Sequence, residues 1–199
     1  MGFGKFIGTI RLNQYRKITE ENLLKTQNFV TKNTHIESQA LLLTLDCVQI
    51  LFINSYDLFL LSYNYCAAKR NWDKIFYGRV MAVCLTDFFD KIFAIIGKDL
   101  VSELTGIISE EELSKLRETT KNISTIRKQI DKELQRIRNI TIAHKSTSGS
   151  HLYENIMSID HHLVFENSQK IIGFMTTLQS QLTIILKRFY EQRNIINGT

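Results

Sequence analysis

Arg138, Asn139, His144 and Lys145 bring two cations, an amide and an imidazole into a stretch of eight residues. These types suit phosphoryl chemistry. Arginine keeps its charge, and its planar fork grips two phosphate oxygens at once. Histidine titrates near neutrality, so it can take or give a proton in a reaction run at that pH. RNA carries its own nucleophile, the ribose 2′-hydroxyl, beside each phosphate. An imidazole that moves that proton and a guanidinium that stabilises the crowded phosphoryl transition state can break the chain without a metal. Asn139 is suited to orient the arginine or a phosphate oxygen.

The element that must position these groups is a helix. Ser109-Glu110-Glu111-Glu112 has the capping-box form that opens one. Ile123, Ile126, Ile130, Leu134 and Ile137 then recur at steps of three and four, which is a single helix face. At about 100° per residue the same face continues through Thr141 and His144, with Arg138 at its edge. An imidazole thus stands where a core residue is expected. It can be a buried, hydrogen-bonded structural histidine, a favourable charge at the negative end of the helix dipole, or part of a groove for a polyanion. Arg138 and His144 are separated by about 9 Å of helix rise, too far to grip one phosphate easily within one chain. The polar run Ser146-Thr147-Ser148-Gly149-Ser150 is fit to end the helix.

The rest of the chain reads as helical too. There is no proline in 199 residues, so long uninterrupted helices joined by short turns are favoured. Thr19-Glu20-Glu21 reads as an N-cap with acids in the first turn, opening a short helix to about Thr31, with residues 1–18 loose or a short helix before it. Thr34-His35-Ile36-Glu37 reads as a capping box opening a long helix toward Ala68, with Leu41, Leu45, Val48, Phe52, Leu58 and Leu61 on its apolar face. After a turn at Lys69-Arg70-Asn71, Trp72 to Ile96 forms another, which Gly97 is placed to stop. Residues 99–105 suit one or two helical turns. The last helix begins between Leu152 and Glu166 and runs to about Ile195, on a stripe of Ile171, Phe174, Leu178, Leu182, Ile185 and Phe189. The expected fold is all-α: one domain over 19–199, an antiparallel bundle of four long helices with one or two short ones.

This setting gives the motif a family resemblance. An arginine, a polar residue beside it, and a histidine after a gap of four to six residues is the signature of HEPN domains, and Arg138-Asn139-x4-His144 fits with a gap of five. The run Arg138 to Lys145 resembles the abortive-infection and toxin branch, and the bundle from about Thr34 to Ile195 is similar in outline. The resemblance implies a metal-independent ribonuclease of toxin or phage-defence type, with Arg138 and His144 catalytic and Asn139 and Lys145 supporting. It implies a homodimer in which two motifs meet in one composite site, RNA as substrate, and an antitoxin-like protein as a further partner. Ile75 to Asp90 resembles a helix of that branch that carries an aspartate, here Asp87. The chain departs from one toxin subgroup, in which a tyrosine stands two residues after the histidine: Ser146 is there, and the next tyrosine is Tyr153.

Other features bear on partners and place. A net charge of +5 and a pI near 9.1 favour polyanions. Lys69, Arg70 and Lys74 form a small basic cluster that reads as a solvated turn, and Trp72 beside it as a packing anchor. Cys47, Cys66 and Cys84 lie in apolar helical stretches without Cys-x-x-Cys spacing, which reads as buried free thiols. His151, His161 and His162 lack metal-ligand spacing and read as a polar helix start. No phosphate loop, nucleophile elbow or zinc motif is present, so no cofactor or metal is expected. The apolar run from Leu41 to Leu61 is broken by Asp46, Gln49, Asn54 and Asp57, which makes it a core helix rather than a membrane span. Without a leader pattern at the N-terminus, the cytoplasm is the expected location.

Overall fold

The computed structural model describes the backbone of residues 3–32, 38–143 and 148–196; side chains are described for 13–28, 38–96, 99–140, 148–189 and 191. The protein is all-α. Its helices are α1 (Phe3–Lys32), α2 (Gln39–Ala67), α3 (Asn71–Ile95), α4 (Val101–Leu104), α5 (Glu110–Ala143), α6 (Gly149–Met157) and α7 (His161–Ile196), with a π-helical turn at Ile96–Leu100.

Cross-helix bonds fix the directions of packing. Gln169 and Gln179 on α7 donate to Ser62 and Ser55 on α2, so these two run antiparallel. Arg188 reaches Glu112, Gln181 reaches Thr119, and the Asp160 N–H at the start of α7 reaches Glu133, so α5 and α7 are antiparallel as well. Ser168 on α7 and Ser62 on α2 both point at the Met81 sulfur on α3. The helices α2, α3, α5 and α7 thus form a four-helix antiparallel bundle, and α1 lies outside it against α2.

The core is made by the expected stripes. Ile123, Ile126, Ile130, Leu134 and Ile137 on α5 are all buried, as are Ile171, Leu178, Leu182 and Ile185 on α7. Each such side chain contributes about 1.5–3 kcal/mol on burial. Among the described residues α2 is the helix long and apolar enough to cross a bilayer, and half of its most apolar window is buried inside the protein, as in a core helix.

Several boundaries differ from the sequence expectation. A loose segment or short helix over 1–18, separate from one opening at Thr19, is expected, but α1 begins at Phe3 and runs unbroken through Thr19, which is buried. Glu20 and Glu21 do not mark a first turn; they pair with Arg16 and Lys17 one turn earlier. The Tyr15 hydroxyl donates to Ser55 at 2.9 Å, pinning α1 to α2. The expected box Thr34–Glu37 lies outside the described residues. Ser38 caps α2, its Oγ accepting from the Leu41 N–H. Gly97 does not end α3: the backbone continues through the π turn into α4. The stop comes at Gly106, whose φ of 84° is the left-handed conformation that a side chain disfavours. The capping box at Ser109 is present, with the Glu112 carboxylate accepting from the Ser109 N–H at 3.0 Å. The polar stretch after α5 forms a separate helix, α6, capped by Ser148.

Candidate functional site

The buried stripe of α5 reaches Ile137, the residue before the motif. Ile137 is fully buried, whereas Arg138 and Asn139 are exposed and Ile140 is half-buried against the core. The backbone of α5 extends to Ala143. His144 and Lys145 lie outside the described residues.

The turn that precedes α7 holds this end of α5 in place. Arg136 donates to Glu133 at 2.8 Å, to the Ser158 hydroxyl at 2.9 Å and to the Ser158 carbonyl at 3.0 Å. The Glu133 carboxylate also accepts from the Asp160 N–H. The Arg136 guanidinium is the main cause of a Glu133 pKa below the usual carboxylate range. Asp160 in turn caps α7, accepting from Leu163 N–H at 2.9 Å. One turn of α5 just before Arg138 is therefore clamped to the α6–α7 junction.

The outer face of α5 is cationic. Ser124, Arg127, Lys128, Asp131 and Lys132 line a groove of about 440 Å³ against Phe93 of α3. Arg127 is fixed there: it pairs with Asp90 at 3.0 Å, and its guanidinium lies over the rings of Phe89 and Phe93. Lys128 and Lys132 form no ion pair among the described residues. Steps of three and four carry this face from Lys128 and Lys132 through Gln135 to Arg138 and Asn139. The span from Ser124 to Arg138 is about 21 Å of helix.

Asp87 stands apart from Arg138. Its carboxylate pairs with Lys91 at 2.7 Å on its own helix. The Asp90–Arg127 contact sets the level of the two antiparallel helices, so Asp87 stands level with Ile130, about 12 Å of helix short of Arg138.

A second polar cluster lies at the same end of the bundle. The Tyr65 hydroxyl is 2.8 Å from His161 Nδ1, and His161 Nε2 is 3.2 Å from Asn71 Oδ1. An amide oxygen only accepts, so Nε2 carries the proton, and in the neutral imidazole Nδ1 accepts from Tyr65. Burial pushes the His161 pKa below its ordinary value, partly countered by Asp160. The Tyr65 ring stacks on Phe165 with centroids 4.4 Å apart, and the Lys74 ammonium sits 5.8 Å from its centre. His161 was read as part of a solvated helix start. The missed signal was its register: stepping back from Ile171 by seven reaches Val164, and three more reaches His161, all on the packing face. His162, one residue on, faces elsewhere and lies 3.3 Å from Glu166.

The remaining expectations divide. Cys47 is buried, Cys84 half-buried and Cys66 exposed, all free; the third thiol therefore departs from the expected burial. Trp72 is not sunk as a packing anchor but is 47% exposed. Comparison with protein-family models, with curated proteins and with solved structures found no match.

Proposed function

We propose that this chain is a HEPN-like, metal-independent endoribonuclease, acting in the cytoplasm as a toxin or phage-defence effector. Arg138 and His144 are its catalytic pair, with Asn139 and Lys145 supporting them. The observation that carries the reading is the exposed Arg138–Asn139 pair at the far end of the cationic face of α5. Ile137 is buried, and the next two residues, an arginine and an amide, are exposed at the end of a cationic face. An exposed arginine beside an amide is suited to grip a phosphate. The imidazole serves as proton carrier to the 2′-hydroxyl, the guanidinium as electrostatic partner of the phosphoryl group. Residues six apart on an ideal helix are separated by about 9 Å of rise, so the reading calls for a homodimer in which each motif completes the other. An antitoxin-like protein that covers the same cationic face is the natural further partner.

A second reading is favoured by the α5 groove itself. Lys128 and Lys132 extend the cationic face well away from the motif, and binding there needs no histidine. The chain would then bind RNA or an acidic partner without cutting it.

The test is incubation of the purified full chain with assorted RNAs in chelator, beside His144→Ala. Cleavage by the wild type alone supports catalysis. Equal cleavage by both refutes the assignment, and binding without cleavage by the wild type selects the second reading. Light scattering that gives a strict monomer at high concentration removes the composite site.

A further inference from the structure

Trp72 and Tyr153 come from different helices, yet their rings stack with centroids 6.0 Å apart and planes 16° from parallel. Core aromatics do this out of water; these two remain 47% and 55% exposed. Phe76, one turn along α3 from Trp72, is 54% exposed, and Met157, one turn along α6 from Tyr153, is 38% exposed. The result is a flat, wet aromatic surface at the start of α3 and on α6. Its fringe is cationic: Lys69 and Arg70 are exposed on the turn into α3, and Lys74 follows one turn later. Lys69 and Arg70 have no ion pair among the described residues. The acids on these same two helix ends are Asp73 and Glu154.

The surface lies at the motif's end of the bundle. From the Asp90–Arg127 ion pair, α3 runs back fourteen residues to Phe76, while antiparallel α5 runs on fourteen residues to Thr141. Phe76 therefore stands level with the last turn of α5.

We propose that Trp72 and Tyr153 form a base-stacking platform for single-stranded RNA, with Lys69, Arg70 and Lys74 holding the adjacent phosphates. Aromatic faces accept any base that is free to leave its own stack, and cations beside them track the backbone. A duplex offers no such base. A second copy of the chain fits less well, because a two-fold contact through this patch would set its Lys69, Arg70 and Lys74 against themselves. The inference rests on the RNA reading for its ligand and adds the class, single-stranded, and the residues that select it.

Trp72 is the single tryptophan of the chain, so its emission reports the platform directly. The full chain is titrated with a short 2′-O-methyl oligouridine, which binds but has no free 2′-hydroxyl to react. Quenching of Trp72 is expected, with little change for a 2′-O-methyl duplex of equal length. Tyr153→Ala, which keeps the reporter, should bind the oligouridine about tenfold more weakly. Should that variant lose its helical circular dichroism, the exposed double substitution Lys69→Glu, Arg70→Glu is expected to weaken binding at least as much, and more so at low salt. Equal quenching by the duplex, or unchanged affinity in the variants, overturns the platform. So does an emission change that follows protein concentration alone, which would mean that a second copy covers the patch. Failure here is separable from failure of the ribonuclease reading. Quenching without cleavage of natural RNA leaves the platform standing and removes the enzyme; cleavage without quenching does the reverse.

Discussion

The Tyr65 hydroxyl at the end of α2 meets the His161 ring at the start of α7 at 2.8 Å, and Asn71 of α3 meets the other ring nitrogen at 3.2 Å. One imidazole thus ties together three of the four bundle helices. Its burial favours the neutral form, so its pKa is depressed in the folded protein. A depressed pKa means that the unfolded chain binds the proton more readily. The stability that His161 contributes is therefore fully present above the ordinary histidine value, about 6.5, and is lost as pH falls through the lower folded value. Thermal unfolding of wild type and His161→Gln should differ most above that pH and converge on acidification. A gap that stays constant with pH would contradict this.

Gly78 makes a different prediction at the same junction. A Cβ built there would lie 2.6 Å from the His161 Cβ and 3.1 Å from its Cα. Glycine to alanine inside a helix ordinarily adds up to about 1 kcal/mol. Here α3 and α7 must separate, and Gly78→Ala is expected to lose about 1–3 kcal/mol instead. Denaturant unfolding decides between the two signs.

The capping box at the start of α5 governs the helix that carries the motif. Glu112 accepts from the Ser109 N–H and hydroxyl, and from Arg188 of α7. Ser109→Ala should cost about 1 kcal/mol of stability. Because the cap lies at the opposite end of α5 from Arg138, the change should leave any RNA cleavage rate nearly unaltered under conditions where the protein stays folded. A large loss of activity at full folding would contradict the separation of these two ends.

The three thiols should react unequally. Cys66 is exposed. Burial is the main cause that pushes the Cys84 thiol up to about 11, and it raises Cys47 further. A disulfide reagent at pH about 8, below the ordinary thiol pKa, should label one thiol fast and the other two only on unfolding. Two fast thiols would mean that the α2–α3 packing around Cys84 is looser than described.

The sequence disclosed most of the stripes of α5 and α7, because each is a run of Ile and Leu at helical period; in α7 Met175 is buried while Phe174 and Phe189 stay half-buried. It disclosed less where polar residues serve packing. Thr19 looks like a cap, yet it is buried in the middle of α1 because Tyr15 anchors that helix to Ser55 and the neighbouring acids answer Arg16 and Lys17. Gly97 looks like a stop, but a π turn absorbs it. His161 looks like a solvated helix start because its two partners, Tyr65 and Asn71, are 96 and 90 residues away. Of the candidate site, the position of Arg138 at the edge of the α5 stripe was legible from the 100° rotation per residue. The partner of Asp87 was not: Lys91 lies one turn away, closer than any residue of α5 needs to be.

The central claim is that Arg138 and His144 cut RNA through its own 2′-hydroxyl, without metal. The most direct measurement is end-group analysis of RNA incubated with the full chain in excess chelator. Attack of the 2′-oxygen on phosphorus breaks the bond to the 5′-oxygen. It leaves a 2′,3′-cyclic phosphate on one fragment and a 5′-hydroxyl on the other. These ends are expected with wild type, and their loss with Arg138→Ala and with His144→Ala, each still helical by circular dichroism. Products with 5′-phosphate ends, or the same products from either variant, would contradict it.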